Sequence, residues 1–115
     1  MNTMPSIDTL IAQMTSRANR LEELMAANER GGTLQYVVRV GELYLGFTPD
    51  RKPRLGGIES ATHFSYRAAS YNASIIKNGA GDKGAVCTFG AGLARSLGEV
   101  DKAIAALEAA QAVQQ

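Results

Sequence analysis

The sequence predicts an α+β fold: a small antiparallel sheet with helices packed on one face. Three observations carry that prediction. The stretch Tyr36-Val-Val-Arg-Val-Gly-Glu-Leu-Tyr-Leu-Gly-Phe47 reads as a tight β-hairpin. Apolar side chains recur at helical spacing near both ends of the chain. Glycine- and proline-containing segments separate the elements between them. The expected order is helix, hairpin, strand, helix, strand, helix, in one domain spanning residues 1–115.

The first helix covers residues 6–29, where Ile7, Leu10, Ile11, Met14, Ala18, Leu21, Leu24 and Met25 stand three and four apart. Asp8, Gln13, Arg17, Arg20 and Glu23 fill the opposite, polar side. Ser6 is a natural N-cap with Pro5 just outside it, and Gly31-Gly32 follow the last turn. The stripe runs for nearly three heptads, enough for two copies to pair in a short coiled coil. Ile7, Leu10, Ile11, Met14, Leu21 and Leu24 would then form a homodimer seam. Alternatively, the stripe packs on the protein's own sheet.

In the hairpin at residues 34–47, Gly41-Glu42 form the two-residue loop, with glycine at the first central position as a type II′ turn requires. Val40 then faces Leu43, Val38 faces Leu45 and Tyr36 faces Phe47, all on one face, because strand side chains alternate. Val37, Arg39 and Tyr44 take the other face, with Arg39 across from Tyr44. Residues 48–57 hold two prolines and two glycines, the composition of an exposed loop or distorted edge. A short third strand is expected near 58–64.

Ser65 can cap a helix at 66–77 that turns Ala68, Ala69, Ile75 and Ile76 inward, with Asn72 as a polar interruption. Lys77 would sit in its last turn, with Asn78-Gly79 as the stop. Residues 85–89 read as the last strand, broken by Gly90-Ala-Gly92. Ser96-Leu-Gly-Glu99 has capping-box spacing and would open a helix at 97–113.

Composition narrows the function classes. The net charge of +1 argues against a general nucleic-acid binder. Residues 1–32 hold three basic and four acidic groups, residues 33–98 eight and four, and residues 99–115 one and three, so the centre is basic. Cys87 is the one cysteine, which fits a reducing compartment. No apolar run reaches membrane-spanning length and no secretory signal is visible, so a cytoplasmic location is expected.

No catalytic constellation emerges. His63 is the one histidine and sits at an alternating strand position without a Gly-x-Ser-x-Gly elbow. One His and one Cys give no metal cluster, so no metal and no cofactor is expected. Glu22-Glu23, and Asp101 with Glu108, lie on solvent-type helix faces. Gly79-Ala-Gly-Asp-Lys-Gly84 follows a helix and precedes a strand, the reverse of a phosphate-binding loop, and no Ser or Thr follows its lysine.

The hairpin, the segment Ala61-Thr-His-Phe-Ser65 and the Ala-rich stretch Tyr66-Arg-Ala-Ala-Ser-Tyr-Asn-Ala-Ser-Ile-Ile-Lys-Asn-Gly79 together resemble small accessory proteins of bacteriophages and mobile elements. Those proteins include inhibitors of bacterial defence such as anti-CRISPR proteins. The resemblance covers residues 36–79 and transfers no functional residue. It implies a non-enzymatic protein–protein interaction module that occludes a host protein or nucleoprotein complex, a CRISPR effector among the partners it suggests.

The residues themselves offer one positive feature, the basic loop with Arg51, Lys52 and Arg54. Arg39, Arg67 and Lys83 extend it if sheet end and helix converge, and Tyr44 adds an aromatic of the kind interface hot spots favour. Direct nucleic-acid binding by the same basic centre is the alternative.

Overall fold

The computed structural model describes residues 6–31 and 34–113. The expected places of Pro5 and Gly32 at the ends of the first helix lie outside the described residues. The α+β class holds: three helices accompany a four-stranded antiparallel sheet.

Helix α1 (Ile7–Gly31) opens on the expected cap, with Ser6 Oγ accepting a hydrogen bond from the Thr9 N–H at 3.1 Å. Strands β1 (Tyr36–Val40) and β2 (Leu43–Phe47) turn at Gly41, whose φ of +64° only glycine adopts without cost. The hairpin keeps its expected register for two pairs, Val40 with Leu43 and Arg39 with Tyr44. The strands then part. Thr62 N–H donates to the Leu45 carbonyl at 3.0 Å, and Tyr36 exchanges hydrogen bonds of 3.1 and 2.8 Å with Phe64. Residues 62–64 are thus wedged between the two strands, replacing the expected pairs of Val38 with Leu45 and Tyr36 with Phe47.

The expected strand at 58–64 is therefore only this wedge, preceded by a 3-10 turn at Ile58–Ser60. The third strand, β3, lies earlier, at Pro53–Gly56, inside the stretch read as a loop. Proline is tolerated there because β3 is the sheet edge in the order β3-β2-β1-β4. Gly46 lets the wedge in: a Cβ on it would lie 2.6 Å from the Ser60 carbonyl oxygen.

Helix α2 (Tyr66–Ile75) starts as predicted, with Ser65 Oγ accepting from the Ala68 N–H at 3.2 Å. It ends earlier than expected. Ile76 is already extended, its carbonyl accepts from the Gly84 N–H at 3.2 Å, and Lys77 pairs across from Lys83. Lys77 is thus not in a helical turn, and Asn78-Gly79 belong to a reverse turn closed by the Asn78 side chain on the N–H groups of Ala80 and Asp82.

Strand β4 (Gly84–Thr88) pairs with β1 and runs directly into α3 (Phe89–Val113). The strand does end before Gly90-Ala-Gly92, as expected, but these residues already belong to the helix, and Ser96 lies inside it rather than capping it. Thr88 is the cap instead, its Oγ1 accepting from the Ala91 N–H at 3.2 Å. A glycine inside a helix costs about 1 kcal/mol. Gly92 repays that through contact, since a Cβ on it would lie 2.8 Å from Ile58 Cδ1. Close approach there lets Phe89, Leu93 and Val100 bury against the sheet and 3-10 turn.

Alternation along β1 and β2 splits the core in two. Val37, Tyr44 and Ile58 pack against Ala18 and Leu21 of α1 and Phe89, Leu93 and Val100 of α3. Val38, Val40 and Leu45 pack against Ala69 of α2. Helices therefore cover both faces of the sheet, not one. Sequence periodicity missed this because β1 is apolar on both sides, as strands buried on two faces are.

Candidate interaction surface

The β2–β3 connection is a turn closed by hydrogen bonds. Thr48 O accepts from the Arg51 N–H at 2.8 Å, the Thr48 N–H donates to Lys52 O at 2.9 Å, and the Lys52 N–H donates to Thr48 Oγ1 at 3.0 Å. The Thr48 hydroxyl also donates to Asp50 and holds its carboxyl below the usual range. Pro49 takes the second position, which its fixed φ suits. Arg51 follows in the left-handed region, φ +65°. This is the place glycine usually fills in such hairpin loops. An arginine there is strained. Lys52 approaches Asp50 at 3.7 Å, but both are largely exposed, so the pair contributes little and leaves the cation displayed.

Beside the turn, Leu45, Phe47, Pro53, Asn72, Ile75 and Ile76 line a cleft of about 220 Å³. It lies between the end of α2 and the β2–β3 side of the sheet. The surrounding surface is apolar and open: Leu43 is 45% exposed, Phe47 41%, Tyr71 66% and Ile75 64%. The cause is the placement of α2, which runs along β1 and β4 on this face; a helix is about 10 Å wide and neighbouring strands are about 4.8 Å apart, so β2 and β3 stay uncovered there. Asn72 donates its amide to the Ala68 carbonyl at 2.8 Å, and its carbonyl oxygen has no partner among the described residues.

Basic residues stand close to this surface in sequence, but the register turns Lys52 and Lys83 to the opposite face, because each neighbours a strand residue that faces α2. Lys52 adjoins Pro53. Arg67, Tyr71 and Ile75 follow one another at four-residue intervals, which places them along one ridge of α2. Lys77 and Lys83 stand paired just beyond its end. Asp50 and Asp82 are the nearby carboxylates. Asp82 Oδ2 accepts from Asn78 Nδ2 at 2.9 Å, and α2 carries no acidic residue.

The expected contact set is thus only partly brought together. Arg51, Lys52, Arg54 and Arg67 are exposed at the end of the sheet where β2 passes into β3. Arg54 pairs across from Gly46, so its side chain leaves β3 on the face opposite Pro53. Lys83 lies at the other end of the sheet, beside Gly84 and Val40. Two residues drop out. Tyr44 is 2% exposed, because α3 covers the face it points from. Its hydroxyl lies 3.5 Å from the Gly92 carbonyl, and burial pushes its pKa up. Arg39 is half-buried on the same side, with Nη1 donating to Gly41 O at 2.8 Å.

The seam expected along α1 is largely occupied within the chain. Leu21 is fully buried, and Met14 and Leu24 pack against the same core with α3. Ile7, Leu10 and Ile11 are half-buried toward the end where Asp8 meets Gln111. The residues absent from the sequence-derived set are Leu43, Phe47, Tyr71, Asn72 and Ile75. Leu43, Phe47 and Ile75 were assigned inward by periodicity. The available signal is that a single helix, about two strands wide, serves that face of a four-stranded sheet.

Other polar groups brace the fold. Arg17 of α1 donates to both oxygens of Glu59, at 2.9 and 3.0 Å, and Arg95 of α3 meets Glu42 of the hairpin turn at 3.0 Å. These pairs border a polar cleft of about 160 Å³ with Tyr44, Ser96 and Glu99. Each of the two guanidiniums already has a carboxylate. His63 stacks 4.2 Å from Phe89 beside Gln35, and burial lowers its pKa. Cys87 is half-buried on β4, where burial pushes its thiol up and away from thiolate chemistry. Among the described residues, no three His, Cys, Asp or Glu gather as metal ligands, and no helix is long and apolar enough to cross a membrane.

Comparison with protein-family models, with curated proteins and with solved structures gives no match.

Proposed function

We propose that this protein is a non-enzymatic protein-binding module that docks on an acidic protein surface through the turn Thr48–Lys52. One observation carries the reading. The turn displays Arg51 and Lys52 from a closed loop in which a non-glycine residue is held at φ +65°. Strain of this kind costs about 1–3 kcal/mol and persists at sites where the geometry serves a purpose. A preset turn loses little loop freedom on binding, which favours affinity. The resemblance of residues 36–79 to phage accessory proteins supports a setting: an inhibitor that occludes a bacterial defence complex, a CRISPR effector among them.

The test is recovery of a partner from nuclease-treated bacterial lysate by the tagged protein. Replacing Arg51, Lys52 and Arg54 together with Glu abolishes recovery while the circular dichroism stays that of the wild type. Unchanged recovery rejects the turn as the contact. Loss of all binding on nuclease treatment, with a salt dependence of several decades, favours direct contact with nucleic-acid phosphates instead.

A further inference from the structure

We infer that the uncovered β2–β3 face and the exposed ridge of α2 form one self-complementary surface, and that its occupant is a second copy of this chain. On the side that faces α2, alternation along β2 and β3 presents Leu43, Leu45, Phe47, Pro53 and Leu55. None of these is polar. The only charged side chain of α2 is Arg67, in its first turn, whereas the cleft is lined by Asn72, Ile75 and Ile76 near the other end of the helix. A centre poor in charge that carries exposed aromatic side chains is the composition of a protein–protein contact.

Width and area choose the occupant. Four strands at a spacing of about 4.8 Å make room for two helices about 10 Å wide, and the chain supplies one. In a two-fold pair each α2 lies between its own β1–β4 half and the partner's β2–β3 half, so two helices fill the layer between two sheets. One patch then supplies both the ridge, Tyr71 and Ile75, and the hollow beside it, as an isologous contact requires. The exposed fractions of Leu43, Phe47, Tyr71 and Ile75, on side chains of roughly 200 Å² each, amount to about 430 Å² per copy. Pro53 and Leu55 bring the pair to about 1,000 Å², where specific interfaces begin. A contact of that size is reversible. It leaves Lys52 and Arg54 free for docking, because the register turns both to the other face of the sheet.

The test is sedimentation equilibrium of the full chain between about 1 μM and 1 mM, with backbone amide shifts recorded as the concentration rises. The expected result is a reversible monomer–dimer equilibrium with a Kd of about 10–100 μM and concentration-dependent shifts centred on Phe47, Tyr71 and Ile75. Ile75→Glu and Tyr71→Glu, both at exposed positions, each weaken the dimer at least about tenfold while the circular dichroism stays that of the wild type. Val113→Glu, at an exposed position near the end of α3, leaves the dimer unchanged. If one Glu replacement disturbs the fold, the other and the wild-type shift pattern decide. A monomer throughout the range overturns the inference and leaves the face to a different protein. A dimer whose shifts lie on α1 and α3, or one that survives both Glu replacements, overturns it as well.

Discussion

Replacing Arg51 with Gly should make the protein more stable and its partner binding weaker. In the left-handed region an L-residue is disfavoured by about 1–2 kcal/mol. Glycine escapes that cost, but its freer unfolded chain loses roughly 0.5–1 kcal/mol more on folding. Arg51 is exposed, and its side chain makes no hydrogen bond among the described residues, so little else is given up. The net expectation is a stabilisation of at most about 1.5 kcal/mol and centred at ~0.7 kcal/mol, or a rise of roughly 2–5 °C in Tm for a chain of this size. Urea unfolding measures it as a higher midpoint at unchanged slope. Arg51→Ala is the control: it removes the charge, keeps the strain and gains nothing. If Gly destabilises the protein, or Ala stabilises it equally, the turn is not strained as described. If Gly stabilises and binding is unaffected, the strain is not retained for docking.

Gly46→Ala should cost about 1–3 kcal/mol, the range for overpacking, because its Cβ would meet the Ser60 carbonyl at 2.6 Å; a melt within 1 °C of wild type contradicts the wedge. Leu21→Ala should cost about 2–5 kcal/mol, whereas Leu10→Ala, half-buried near the free end of the helix pair, costs much less; equal effects would mean that α1 is not docked as described. The Arg17 hydrogen bond is the largest cause holding the Glu59 carboxyl below its ordinary value of 4.5, with burial opposing it. A depressed acid contributes stability that is present above its unfolded pKa and lost as pH falls through its folded one. Wild type should therefore exceed Glu59→Gln in urea midpoint at pH 6, and the gap should close below about 4.5. A gap independent of pH would show that the pair does not act through its charge.

Local signals in the sequence proved dependable where local chemistry decides. Ser6 and Ser65 cap the helices they were expected to cap, and Gly41 turns the hairpin it was expected to turn. The errors lie where distant contacts override local preference. The last helix reads as starting only at residue 97, but it starts at Phe89, and Gly92 is the point at which α3 presses on Ile58. Pro53 reads as loop, but an edge strand accepts it. Tyr44 reads as an exposed partner to Arg39, but its face is the one α1 and α3 enclose. The basic turn was visible as composition. Its hydrogen-bonded closure was not, because the left-handed Arg51 follows from hydrogen bonds around Thr48 that no pattern of residue types announces. The cleft was invisible for a related reason: periodicity turns Phe47 and Ile75 inward, and only the position of α2 over β1 and β4 shows that nothing covers them.

The most direct measurement is amide hydrogen exchange of the protein alone and in the nuclease-treated complex recovered from bacterial lysate. Docking through the turn predicts slowed exchange over residues 47–56, with α1 and α3 unchanged. Slowed exchange along α1 and α3 with the turn unaffected would place the contact on the opposite side of the sheet and contradict the account.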